Sequence, residues 1–180
     1  IIGEGNVSHI ISSYESTSNY TGFLHLYNPT TIIEGNQSIS YIKLDGEKTS
    51  NCAINIIGRS NIKIHHVTIV DFTTRGISVQ HEAGVSNFIT GIEIYDCSIS
   101  ESSDRLAGSC GLIVEKGCDG SLIHDNILTQ TNNPLYHNGN IYTSWSQTSK
   151  NKNTKFYNNI CTKPDYDGAL HTEGSFTGGW

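Results

Sequence analysis

The chain has 180 residues, 36% of them apolar and 16% charged, with a formal net charge of −6. That size and composition suit one soluble domain with a substantial core. Two classes are excluded: no stretch reaches the roughly twenty apolar residues of a spanning helix, and 11 Lys and Arg against 17 Asp and Glu supply no basic face for gripping the phosphates of a nucleic acid.

Residues 1–44 are polar and irregular, and they carry three acceptor triplets for N-glycosylation, at Asn6, Asn19 and Asn36. From residue 45 onward the chain repeats itself. One line of the repeat runs Ala53-Ile54-Asn55-Ile56, Gly76-Ile77-Ser78-Val79, Gly111-Leu112-Ile113-Val114, Asn140-Ile141-Tyr142-Thr143 and Ala169-Leu170-His171-Thr172. A second runs from Ile64 to Ile69 and recurs at Ile94, Ile123 and Phe156, that is, after 30, 29 and 33 positions. A constant core with an elastic connection is the signature of stacked coils.

Within each unit, apolar and polar residues alternate with period two, as in Ile62-Lys63-Ile64 and Ile92-Glu93-Ile94, and β-branched residues fill the inward positions. That is strand patterning, and no window holds helical spacing for more than about two turns. Short strands of this kind bury nothing alone. Wound into coils, strand on equivalent strand about 4.8 Å apart, they form a parallel β-solenoid. The predicted inward files are Ile54, Ile77, Leu112, Ile141 and Leu170 on one sheet, and Ile69, Ile99, Leu128 and Cys161 on another. A third file, Val67, Cys97, Asn126 and Asn159, ends in two asparagines placed to form a ladder at an inward turn.

The runs Leu44-Asp45-Gly46, Asn61 to Phe72 and Arg75 to Val79, together with His137-Asn138-Gly139-Asn140-Ile141-Tyr142, resemble the right-handed parallel β-helix proteins of the pectate-lyase-like superfamily. The resemblance spans about 45–174. It implies an all-β, single-stranded right-handed parallel β-helix of about six coils, with residues 1–180 as a single domain and 1–44 as its less regular N-terminal coils. It also implies an extracellular or cell-surface protein acting on a polysaccharide as a lyase or glycoside hydrolase. The chain holds no methionine, and its last repeat has no capping helix. It is therefore expected to be a fragment of, or a unit within, a longer solenoid, with further coils or end-to-end self-association at its edges.

Residues between the inward positions of the first line are expected to face solvent. One such file reads Asn55, Ser78, Ile113, Tyr142 and His171; the next reads Ile57, Gln80, Glu115, Ser144 and Glu173. Tyr142 and Trp145 offer rings to sugar faces, and His137 and Gln80 offer hydrogen bonds to hydroxyls. Glu115 and Glu173, two coils apart, stand about 9.6 Å from each other at the backbone, near the roughly 6.5–9.5 Å carboxyl spacing of inverting hydrolysis. For a lyase the parts are His171 as base, Tyr142 as proton donor, and Arg105 or Lys116 to neutralise a uronate. No motif dictates a cofactor. Asp165 and Asp167 have the spacing of a turn and the chemistry of a site for a divalent cation such as calcium.

His65-His66 is read as structural, its rings alternating in and out. The run Lys150 to Lys155 is read as a solvated connection. Five cysteines leave at least one unpaired; Cys97 and Cys161 are expected as small core fillers, while Cys52 or Cys110 is the candidate for pairing with a neighbouring coil. The competing reading of the whole chain is a non-catalytic solenoid, such as a surface fibre, spike or adhesin subunit, in which stacking itself is the function.

Overall fold

The structure is a computed structural model. It describes residues 8–11, 22–28, 30–81, 87–101, 110–115, 117–129, 141–144, 151–162 and 170–172, with residues 101, 110, 113, 115, 141–144 and 170–172 placed by their backbone. Every regular element among them is a strand, and every pairing is parallel. No helix among the described residues is long and apolar enough to cross a membrane.

Three large sheets are visited in rotation. The first stacks Gly22–Tyr27, Cys52–Ile57, Arg75–Gln80, Cys110–Glu115, Ile141–Ser144 and Leu170–Thr172; the second stacks Ile33–Ser40, Arg59–His65, Ile92–Tyr95, Leu122–His124 and Lys155–Tyr157. The third stacks His9–Ile11, Lys43–Asp45, Thr68–Phe72, Ser98–Glu101, Ile127–Thr129 and Ile160–Thr162, and a small pair joins Ile89–Thr90 to Cys118–Asp119. This all-β parallel arrangement is consistent with a β-solenoid.

The predicted files exist in register. Leu24, Ile54, Ile77, Leu112, Ile141 and Leu170 are successive partners along the first sheet. Ile10, Leu44, Ile69, Ile99, Leu128 and Cys161 are successive partners along the third. Ile54, Ile69, Ile77 and Leu112 are fully buried, and all join one apolar cluster with Ile62, Ile64 and Ile94 of the second sheet. Burial of each such side chain contributes about 1.5–3 kcal/mol, and their period-two spacing puts them all on the inner face. One departure is local: Asp71, at φ 57, is the extra residue of a bulge that shifts the register between Val70 and Phe72.

Corners between sheets are made by left-handed residues at equivalent positions. Tyr41, His66, Asp96, Asp125 and Asn158 close the second sheet at one side, with φ of 51–56°. Asn36, Asn61, Gly91, Gly120 and Asn153 open it at the other, with φ of 50–72°. Asn, Asp and Gly tolerate this region best, which explains their enrichment between strands.

The asparagine ladder is present. Asn126 is fully buried; its Oδ1 accepts the Cys97 amide at 3.0 Å and its Nδ2 donates to Ile94 O at 3.0 Å. Asn159 repeats the device one coil on, accepting the Asn126 amide at 3.1 Å and donating to Ile123 O at 2.9 Å. A third such asparagine lies in the run that the sequence presents as a solvated connection. Asn151 is buried, accepts the Cys118 amide at 3.0 Å and donates to Val114 O at 2.8 Å. The described part of the Lys150 to Lys155 run is thus built into the stack, with Thr154 fully buried and the Lys152 ammonium 4.1 Å from the centre of the Phe88 ring.

Cys52 and Cys97 are buried free thiols, so Cys52 forms no bond to a neighbouring coil; Cys118 is buried and Cys161 partly buried. Burial pushes the thiols of Cys52 and Cys97 up to about 12, which leaves them protonated and inert at neutral pH.

Candidate functional site

The outer face of the first sheet is not the open ridge its polar residues suggested. Asn55 and Ser78 are fully buried, Ile57 is 3% exposed, and Gln80, expected to bind substrate, is 4% exposed. The strands Cys52–Ile57 and Arg75–Gln80 are buried on both faces. Cover comes partly from the sheet's own polar side chains: Asn55 Nδ2 lies 3.4 Å from His25 Nε2, and the buried Arg75 donates from Nη1 to Ser78 Oγ at 3.3 Å. His81 is also buried and packs so closely on Gly117 that a Cβ there would collide with its ring.

Farther along this sheet, Tyr142 pairs with His171 in register, and Glu115 pairs with Ser144. Those four are placed by their backbone alone. Glu173, Trp145, Arg105, Lys116, His137, Asp165, Asp167, Asn6 and Asn19 lie outside the described residues. Among the described residues, no three His, Cys, Asp or Glu side chains gather to hold a metal ion.

Polar and aromatic side chains instead converge on the outer face of the second sheet. Its apolar residues turn inward, so alternate positions face out, and two files result. His65, Tyr95, His124 and Tyr157 are successive register partners. Their rings stack at 4.9, 5.2 and 4.6 Å between centroids, with planes within 10° of parallel. Because the flat faces are spent on one another, only ring edges and the outer face of Tyr157, which is 41% exposed, meet solvent.

The corner breaks the expected alternation of His65 and His66. The left-handed φ of 53° at His66 brings its ring to the same side, with the two Nδ1 atoms 3.0 Å apart. Tyr41 stacks on His66 at 4.7 Å.

The second file is Ser38, Lys63, Glu93, Leu122 and Lys155. Lys63 Nζ lies 2.8 Å from Glu93 Oε2, and the other Glu93 oxygen lies 3.6 Å from His124 Nε2. His124 Nδ1 in turn meets Asp125 Oδ2 at 2.7 Å. A chain of alternating charge capacity, Lys63, Glu93, His124, Asp125, therefore crosses two coils. The Lys63 ammonium holds the Glu93 carboxyl below its ordinary range, and contact with His124 does the same for Asp125.

Between this file and the left-handed corner runs a groove of ≈ 510 Å³ lined by Asn36, Gln37, Asn61, Lys63 and Glu93, with Ile92 and Leu122 below and Gly91 and Gly120 at its side. Both glycines have positive φ, 65° and 72°, and at Gly120 a Cβ would meet nothing within 4 Å. Asn36, the one glycosylation candidate among the described residues, is exposed at the rim. Comparison with known proteins returns no family model, curated relative or solved structure that matches this chain.

The ring stack carries a pH prediction. Burial first, then the neighbouring His66, lowers the His65 pKa below 6.5, so the unfolded chain binds this proton more readily than the folded one. The stability from neutral His65 is whole above 6.5 and is lost as pH falls from there through the lowered folded value. Asp96 and Glu93 oppose this shift and Lys63 adds to it. The melting temperature is expected to decline below pH 6.5, ahead of the carboxylate range. His65→Phe, which keeps a flat ring in the stack, should reduce the slope of that part of a scanning-calorimetry pH series, leaving the share of His25, whose pKa burial also lowers; an unchanged slope would rule the assignment out.

Proposed function

We propose that this chain belongs to an extracellular right-handed parallel β-helix that binds a polysaccharide, with the glycan lying in the groove on the outer face of the second sheet. The groove's lining carries the reading. Carboxamides, an ammonium and a carboxylate supply directional hydrogen bonds, while the corner glycine Gly120 leaves open space for a pyranose ring. Right-handed winding follows from the strong preference of parallel crossovers and agrees with the resemblance to pectate-lyase-like proteins.

The described residues support binding more than a defined reaction. Glu93 is the carboxylate lining the groove, and with Lys63 against it this group is ionised at neutral pH, so it is no proton donor. A lyase or hydrolase step would draw on the first-sheet file of Tyr142 and His171, with Glu115 and Glu173. The fibre reading has one specific observation in its favour: the aromatic faces of the second sheet stack on each other and not outward.

Affinity electrophoresis against a panel of soluble plant, algal and bacterial polysaccharides tests the proposal, with reducing ends and unsaturated products read in parallel. At least one polymer should retard the protein. Gly120→Asn is the decisive variant, because asparagine accepts the left-handed φ, as Asn153 does at the equivalent corner, yet fills the open space. It should weaken binding roughly tenfold with no loss of melting temperature. Binding that is indifferent to Gly120→Asn would place the glycan elsewhere, and no retardation by any polymer would favour the fibre.

A further inference from the structure

We infer that this groove selects a neutral, hydroxyl-donating glycan and rejects polyuronates, an inference that rests on the glycan-binding reading above. Charge balance decides it, helped by one oriented acceptor. Asn61 gives its amide N–H to the Glu34 carboxylate, so its orientation is fixed with Oδ1 as the free end. That oxygen stands over Gly91, where a Cβ would collide with it. Gln37 Oε1 is buried and has no hydrogen-bond partner among the described residues, which is costly unless something donates to it. Lys63, the ammonium lining the groove, is already engaged by Glu93 at 2.8 Å.

The charge on offer is therefore negative: Glu34 stands behind Asn61 as a second carboxylate, the one ammonium of the lining is already balanced by Glu93, and the Asn61 carbonyl oxygen is an oriented acceptor beside them. A sugar hydroxyl donates to such groups. A carboxylate, ionised at neutral pH, only accepts; beside Glu93 and Glu34 it would meet like charge, and the lining's one ammonium, Lys63, is already paired with Glu93. The same argument bears on chemistry. β-Elimination needs a uronate whose neutralised carboxylate acidifies the adjacent proton, so a neutral polymer held in this groove is no substrate for a lyase.

The test measures binding of the intact chain to three soluble polymers at low salt: a neutral glucan or mannan mixture, polygalacturonate with alginate, and chitosan as a cationic arm. The neutral arm should bind, and the uronate arm should be at least about tenfold weaker. Glu93→Gln, which removes the repelling charge and releases Lys63, should narrow that gap by raising uronate affinity. Uronate binding equal to or tighter than neutral binding, a gap unmoved by Glu93→Gln, or tightest binding to chitosan would each overturn the inference while leaving glycan binding in place. Failure of all three arms would instead remove the glycan-binding reading on which it rests.

Discussion

Asn126→Ala is expected to destabilise the protein by about 2–4 kcal/mol, one of the two largest effects of any single side chain considered. The side chain is fully buried and serves the backbone of two coils, accepting from Cys97 N–H and donating to Ile94 O. It also donates to Asn159 Oδ1 at 2.9 Å. Alanine leaves the Cys97 amide and the Ile94 carbonyl buried without these partners, each costing about 1–3 kcal/mol before relaxation, while Asn159 Oδ1 keeps the backbone amide of residue 126. For a chain of this size, the loss corresponds to a fall of roughly 5–15 °C in melting temperature. Asn159→Ala is the internal comparison. Asn159 is only half-buried, so water can replace part of what it supplies, and its effect should be visibly smaller. Equal losses at both positions in urea titrations would contradict the ladder as a buried backbone device.

Ile77→Ala is expected to cost about 2–5 kcal/mol, the range for a large-to-small change in a packed core. Ile77 is fully buried and lies between Ile54 and Leu112 in register, so neither neighbour can slide along its strand to fill the gap without breaking its own ladder. Ile160→Ala, on the outward face of the third sheet and 57% exposed, should change stability by less than about 0.5 kcal/mol. Chemical denaturation separates the two, and a small effect at Ile77 would mean that the file is not a continuous core.

Much of this fold was legible in the sequence because the stacking rule is local. Ile54, Ile77 and Leu112 recur inside the same alternating tetrad, so their register and burial could be read before any coordinates. Asn126 and Asn159 were legible for the same reason, since both occupy one place in an aligned line. Asn151 was not, because it stands among lysines, and its structural use depends on a corner that the repeat does not announce.

The candidate site divides differently. Polar residues alternating with inward ones suggest a solvent-facing file, but on the first sheet Asn55, Ser78 and Gln80 are covered. Period-two patterning tells inside from outside only when nothing is laid over the outer face. The second-sheet file did have a signal. The residue after Ile64, Ile94, Ile123 and Phe156 is His, Tyr, His and Tyr in turn, and a ring at every equivalent position is what a stacked ladder needs. Similarly, the following residues His66, Asp96, Asp125 and Asn158 mark a corner that turns His65 and His66 to one side, which strand alternation alone misplaces.

The most direct test of the account is a ladder of distances along one outward file. Lys43, Thr68, Ser98, Ile127 and Ile160 are successive register partners on the third sheet. Nitroxide labels on cysteines introduced pairwise at Lys43 with Ser98, Ile127 or Ile160, in a Cys110→Ser, Cys161→Ser background, should report backbone separations of about 10, 14 and 19 Å, one strand spacing of ~4.8 Å per coil. Stepwise growth in that order is the predicted result. Separations that fail to increase with each coil would show that these strands are not stacked in parallel register, and the core files and the groove would fall with them.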